Sequence, residues 1–280
     1  MRFLIIFLLA GVSTIAATVN TVNLGTANAF AVLGGSGVTN TGSSVVFGNL
    51  GVSAGGAISG FPPGLVKGTT SAGDAVAAQA QNDLTTAYNS AKGQSCGSTI
   101  SGQNLGGLTL TSGVYCFGSS AFLNGTLTLD AQGDPNAFFL FLIGNSLTTA
   151  NLSSVVFKNG GYGENVFWQV GSTATLGSNT NFAGTILAFD NINLNAGASI
   201  QCGRAFSQHG GVTMDTNDVS IDAGVCEGVA LPEPGTGTML SLGVILGIIG
   251  FKRKLKKNSV PADPLGDKFR ENLVGEKHTA

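Results

Sequence analysis

The chain is poor in charge. Only 10% of its 280 residues are Asp, Glu, Lys or Arg, and it has a single Trp, two His, three Tyr and three Met. Between Thr18 and Gly228 the only cations are Lys67, Lys92, Lys158 and Arg204, against ten acids, for a net charge of −6. Cations this sparse form no basic patch to hold phosphates, which excludes nucleic acid as a partner. There is no CxxC, and the two histidines, His209 and His278, are far apart. That spacing does not suit a zinc site, so no metal and no cofactor is implied. Long apolar runs are also missing, except near the two ends.

Both ends read as targeting segments. Residues 1–17, MRFLIIFLLAGVSTIAA, combine one early cation, an apolar run and small residues at the close, the layout of a secretory signal peptide. At the other end an apolar segment at about 235–251 follows Pro232, Glu233 and Pro234. It precedes five cations in six residues, which begin with Lys252, Arg253 and Lys254. Its seventeen residues are near the lower limit for a membrane-spanning helix, and the cations favour the cytoplasmic side. The division expected is a signal peptide at 1–17, an exported body at 18–228, a C-terminal segment at 229–257 and a polar tail at 258–280. The Pro-Glu-Pro, helix and basic-cluster order resembles the PEP-type C-terminal sorting signal of bacterial exported proteins. That resemblance implies exosortase-type processing machinery as a partner and a product that is secreted or held at the cell surface. Because a polar tail follows the cations, a plain C-terminal membrane anchor is the competing reading.

All four cysteines, Cys96, Cys116, Cys202 and Cys226, fall in the exported body, an even number in a compartment that permits disulfides. Four cysteines allow three pairings. The two local loops, Cys96 with Cys116 and Cys202 with Cys226, are favoured, and the other pairings stay open.

A clear helical period appears once. Residues 71–93, SAGDAVAAQAQNDLTTAYNSAKG, set Val76, Ala77, Ala80, Leu84, Ala87, Tyr88 and Ala91 on one face, with Ser71 and Asp74 as a capping-box-like start and Gly93 as the stop. This predicts one amphipathic helix at about 72–92 that needs a surface to lie against. The remainder is short β-prone pieces separated by Gly, Asn and Ser. FFLFLIG (138–144), NVFWQVG (165–171), AGTILAF (183–189) and GRAFSQ (203–208) look like copies of one strand, each followed by a second piece: LTTAN, ATLGS, INLNA and VTMDT. The second residues of these pieces, Thr148, Thr175, Asn193 and Thr213, are 27, 18 and 20 positions apart. A repeat near 18 to 20 with inserts fits a β-solenoid of about three short strands per turn. An antiparallel sandwich is the alternative, but like follows like in a way that stacks copies in parallel.

Alternate residues of a strand face opposite sides. In the second pieces Leu147, Ala174, Ile192 and Val212, then Thr149, Leu176, Leu194 and Met214, are expected to point inward. Thr148, Thr175, Asn193 and Thr213, then Ala150, Gly177, Asn195 and Asp215, are expected to point outward as a flat grid of small groups. Threonine is stiff at χ1, so such a grid holds methyls and hydroxyls in fixed places. The plainer reading is that Thr and Asn favour the solvent face of strands and the turns between them.

Longer stretches carry a resemblance. LGTANAFAVLGGSGVTNTG, FGNLGVSAGGAISGFPPG, DAVAAQAQNDLTTAYNSA, LGGLTLTSGVYCF, GTLTLDAQGDPNAFFLFLIG, NVFWQVGSTATLGSNTNFAGTILA and GRAFSQHGGVTMDTNDV occur in order over most of residues 24–221. Together they resemble the ice-binding-like domain of secreted antifreeze proteins. The resemblance implies an irregular right-handed β-solenoid of triangular section with one long α-helix along its side. It also implies one flat face that binds an ice crystal surface and limits ice growth or recrystallisation. On this sequence the ice-binding face would comprise the outward residues above, with an N-terminal contribution from Ser36 and Ser53.

Two rival functions remain. An enzyme needs clustered chemistry, for which Asp215, Asp218, Asp222 and His209 are the nearest candidates, while Arg204 reads as a structural partner for a buried carbonyl or acid. An exported structural or adhesive protein of the extracellular matrix would use Tyr115, Tyr162 or Trp168 to bind extracellular polysaccharide if they are displayed.

Overall fold

The structure, a computed structural model, describes residues 22–221. The predicted signal peptide, Cys226, the sorting signal with its transmembrane segment, and the polar tail lie outside the described residues. Among the described residues no helix is long and apolar enough to cross a membrane.

The described backbone is mainly parallel strand, with one α-helix. Like strands stack on like in three ladders. One ladder has seven strands, in the spatial order Ala121–Leu123, Leu147–Thr149, Ala174–Leu176, Ile192–Leu194, Gly211–Asp215, Gly37–Thr41 and Ala57–Ser59. The other two merge into a fifteen-stranded sheet because the long strands Asn181–Ala188 and Ser199–Ser207 belong to both. Their first halves pair with Ser154–Lys158 and Asp218–Ser220, and their second halves with Val166–Val170 and Phe30–Gly34. This explains the uneven repeat. Coils in which one strand runs through the corner take 18 or 20 residues, whereas the 27-residue step from Thr148 to Thr175 contains an extra loop with the 3-10 turn Gly163–Asn165.

Spatial order departs from chain order. The first coils stack on the last one: Val32 pairs with Ala205, Val38 with Val212 and Val46 with Val219. Helix α1, Ala75–Lys92, links them to Ser98–Thr99 at the opposite end of the ladder it covers. Its 18 residues span about 27 Å at 1.5 Å each, most of the roughly 38 Å that eight strand spacings occupy.

The covered ladder is apolar on both sides. Phe139, Phe141, Ile143, Val166, Trp168 and Val170 fill the coil interior. Their alternates Leu140, Phe167, Leu187, Phe206 and Leu33 are buried with Ala80, Leu84, Ala87, Tyr88 and Ala91 of α1. Double burial is why FFLFLIG and AGTILAF read as continuous apolar runs. Each such Leu or Phe contributes about 1.5–3 kcal/mol, which holds a helix that would be marginal in isolation. Inside, Tyr115, Phe141 and Trp168 stack rung upon rung with ring centroids 5.6 and 3.8 Å apart. Trp168 donates its indole N–H to the Ala183 carbonyl at 3.0 Å.

Two details of the helix differ from expectation. Asp74 itself is the N-cap, accepting from the Ala77 amide at 2.8 Å, while Ser71 belongs to the strand Thr70–Ala72. Val76 is 57% exposed, so the buried stripe begins at Ala77. Gly93 is the C-cap as predicted. Cys96 and Cys116 are disulfide-bonded, with Cα atoms 5.9 Å apart, tying the segment after α1 to Gly113–Phe117. Cys202 is also disulfide-bonded; its expected partner, Cys226, lies outside the described residues.

Side chains fasten the 3-10 turn Gly25–Ala29 from two directions. Thr26 donates from both its amide and its hydroxyl to one Asp83 carboxylate oxygen at 2.7 Å, which holds that carboxyl below the usual carboxylate range. Arg204, buried in the last coil, donates to the Asn28 backbone carbonyl at 3.1 and 2.9 Å and to the Asn28 side-chain oxygen at 2.8 Å. Burial lowers the Arg204 pKa, and Glu164 opposes that shift. This is the structural role its sequence context suggested.

Between the seven-stranded ladder and the next one, the corner is built from left-handed backbone. Leu152, Asn179, Gly197 and Thr216 have φ of 60°, 55°, 73° and 54°, and their amides bond carbonyls of the neighbouring coil. Gly and Asn accept this conformation, whereas a leucine is strained in it.

Two stability outcomes follow. Arg204→Leu leaves the Asn28 oxygens without their charged donor and should lower unfolding free energy by about 3 kcal/mol in a denaturant titration. Leu152 is 75% exposed, so Leu152→Asn removes strain at almost no packing loss and should raise stability by about 1 kcal/mol in the same assay.

Candidate functional site

The seven-stranded ladder carries an outward column that α1 leaves uncovered. Its backbone register places Phe122 beside Thr148, Thr148 beside Thr175, Thr175 beside Asn193 and Asn193 beside Thr213. It continues from Thr213 to Thr39 and from Thr39 to Ser59. The four residues aligned from sequence thus form one column, and their inward neighbours Leu147, Ala174, Ile192, Val212, Leu176, Leu194 and Met214 are buried. Thr149 also points in; its hydroxyl meets that of Thr180 at 2.9 Å and accepts from the Gly177 amide at 2.9 Å.

Asn193 knits the column. Its side-chain amide donates to the Thr175 hydroxyl at 3.4 Å, and its side-chain oxygen accepts from the Thr213 hydroxyl at 2.9 Å. One position to the left on each strand stands a second set: Ser120, Ser146, Thr173, Asn191, Gly211, Gly37 and Ala57. Ser120 and Ser146 hydroxyls are 2.8 Å apart, and Asn191 accepts from the Gly211 amide at 2.9 Å. Rungs are spaced about 4.8 Å apart and alternate residues about 6.7 Å along a strand. Apart from Phe122, every side chain of these two columns is small and uncharged.

The other predicted outward set is less regular. Gly177 is buried, Ala150 and Asp215 are half-buried, and only Asn195 is exposed. The chain is already turning the left-handed corner there, and a Cβ on Gly177 would lie 2.6 Å from the Ala150 carbonyl carbon. Ser36 and Ser53 are not in the main column either. They stand before Gly37–Thr41 and after Asn49–Val52, at the bend into the ladder, and the rungs belong to Thr39 and Ser59. Asn179 forms part of the corner.

Several positions escaped the sequence pattern. The coil containing Ala121–Leu123 was not counted, although Phe122 precedes Thr148 by 26 residues, close to the next step of 27. Thr39 and Ser59 carry no local signal, because α1 and six other coils separate them in sequence from the strands they pair with. The Ser120 column was readable as the residues two before each outward position.

The third ladder is open as well, but it is charged and uneven. Asp130 lies in register with Lys158 and Asp218 with Val45, and Phe47 and Leu65 are exposed. The enzyme candidates are not assembled into a site. Asp215 ends a strand of the seven-stranded ladder and Asp218 begins one of the third, across the corner. His209 is exposed beside the Phe189 ring, with Nδ1 3.3 Å from the Phe189 carbonyl, and Asp222 lies outside the described residues. Among the described residues no three His, Cys, Asp or Glu side chains group to hold a metal. Tyr115 and Trp168 are in the core, and Tyr162 is 41% exposed.

The arrangement defines a stacked-coil protein that presents an open neutral face. The ice-binding-like family model matches residues 32–220, and the chain belongs to that family. It is 51% identical over 240 residues to an ice-binding protein of Nostoc sp. (strain HG1), covering 84% of this chain and 88% of that protein. It is 34% identical over 229 residues to ice-binding protein 1 of Shewanella frigidimarina (strain NCIMB 400), covering 70% and 26%. The solved structure of an ice-binding protein from an Antarctic biological consortium is similar with a TM-score of 0.69 at 46% identity, covering 71% of this chain and 90% of that one. That of an ice-binding protein from the Antarctic ascomycete Antarctomyces psychrotrophicus has a TM-score of 0.69 at 35% identity, covering 72% and 98%.

Placing Gly177 inside the corner has a direct consequence. Gly177→Ala should cost about 1–3 kcal/mol of stability through overpacking against backbone, measured by thermal or denaturant unfolding, whereas an outward glycine would accept alanine without loss.

Proposed function

We propose that this protein binds ice through the outward side of the seven-stranded ladder and limits the growth or recrystallisation of ice crystals. The observation that supports this most is the in-register column Thr148, Thr175, Asn193, Thr213, Thr39 and Ser59 in a chain whose relatives are ice-binding proteins. The physical case rests on regularity. Threonine holds its methyl and hydroxyl in fixed places, and the backbone ladders fix each rung, so little ordering remains to oppose adsorption. Neutral side chains keep no tightly held hydration shell of their own, and weak contacts repeated at constant spacing add up over the face. With Tyr115 and Trp168 in the core, ice and not polysaccharide is the partner proposed.

We also read the coil as right-handed and triangular in section, in keeping with three ladders per turn. The chain is read as exported, with residues 1–17 as its signal peptide. Residues 229–257 would be held in the membrane through the 235–251 segment until exosortase-type processing leaves the body secreted or at the cell surface. The support for export and sorting is the sequence pattern alone.

The test is Thr175→Tyr at the centre of the column. A ring there should abolish ice-crystal shaping and recrystallisation inhibition while circular dichroism and melting temperature stay near the parent values. Activity that survives would place the contact on another face, and a parent protein that leaves ice crystals unshaped would sink the proposal.

A further inference from the structure

The outward column holds one residue that does not fit it. Phe122 stands in register with Thr148 and is 44% exposed, and it belongs to neither apolar cluster of the interior. Its neighbours Ala121 and Leu123 supply the core contacts of that strand. The next rung beyond it is Asn104, which bridges to Phe122 and whose side chain donates to the Asn124 carbonyl at 3.0 Å. Small polar residues therefore continue on both sides of the ring, and Ser120 beside it still bonds Ser146. Strand side chains stand roughly perpendicular to their sheet, so a phenyl ring rises past the level that Thr, Ser and Asn reach on the other rungs. A flat crystal surface resting on those rungs meets the ring first.

We propose that Phe122 sets the length of the ice contact, ending the usable column at Thr148 and leaving six rungs, Thr148 to Ser59, to engage the lattice. This rests on the ice-binding reading of the same face. The core beneath is complete without the ring, so the residue tunes the surface and leaves the fold alone. Removing it joins the Asn104 and Phe122 positions to the existing rungs and lengthens the commensurate array.

The experiment compares the full chain with Phe122→Thr and Phe122→Ala, alongside Thr175→Tyr, for thermal hysteresis and recrystallisation inhibition at matched concentrations. Phe122→Thr should lower the concentration needed for half-maximal inhibition roughly twofold, the factor that about 0.4 kcal/mol of added contact gives. Phe122→Ala should be at least as active as the parent, and both should melt within a few degrees of it. Unchanged or reduced activity in folded Phe122→Thr and Phe122→Ala would overturn the assignment, since the ring would then be irrelevant or itself a contact. If the parent is active and Thr175→Tyr is not, such a result rejects the role of Phe122 alone; if the parent is inactive, the ice-binding reading fails with it.

Discussion

Backbone pairing between successive coils fixes where every side chain of the seven-stranded face stands. Each rung is held by parallel ladder bonds to the rungs on either side, and a slip of one residue would turn Leu147, Ala174, Ile192 and Val212 outward and the threonines inward. The apolar interior forbids that slip, because the same shift would expose a buried column from Leu123 to Val38. Register on the face is thus set by burial behind it. The flat neutral grid and the packed core are two sides of one constraint.

The least obvious place where that constraint acts is the junction of the last coil with the first. Nothing local brings Thr39 beside Thr213. Helix α1 makes it possible by carrying the chain along the covered ladder, and Arg204 and Asp83 secure the 3-10 turn that leads into the first strand. The helix needs the ladder for its apolar stripe, and the ladder needs the helix to cover Leu140, Phe167, Leu187 and Phe206. The remaining two ladders stay open, and only one of them is free of charge along its central columns.

The parts legible in the sequence were those with short-range causes. The helix from Ala75 to Lys92 announced itself by period, and the column Thr148, Thr175, Asn193, Thr213 by alignment of repeated pieces, because each strand alternates against the same interior. Legibility failed where the cause is long-range or lies in backbone conformation. Ser36 and Ser53 were chosen over Thr39 and Ser59 because the register of the N-terminal coils is set by strands some 170 residues away in sequence. Gly177 was placed outward because alternation was extended one step too far, into a corner whose left-handed residues, Leu152, Asn179 and Thr216, carry no common side chain. Trp168, with core-like neighbours on both sides, could not be placed until its ring was found stacked between Phe141 and Phe182.

The central claim is adsorption of the folded chain to ice, and partitioning tests it most directly. A fluorescently labelled sample is held in solution while a polycrystalline ice hemisphere grows slowly from a cold probe. The account predicts that the labelled protein is taken up into the ice and enriched there relative to a labelled globular control of similar size. Exclusion from the ice to the same extent as that control would contradict it.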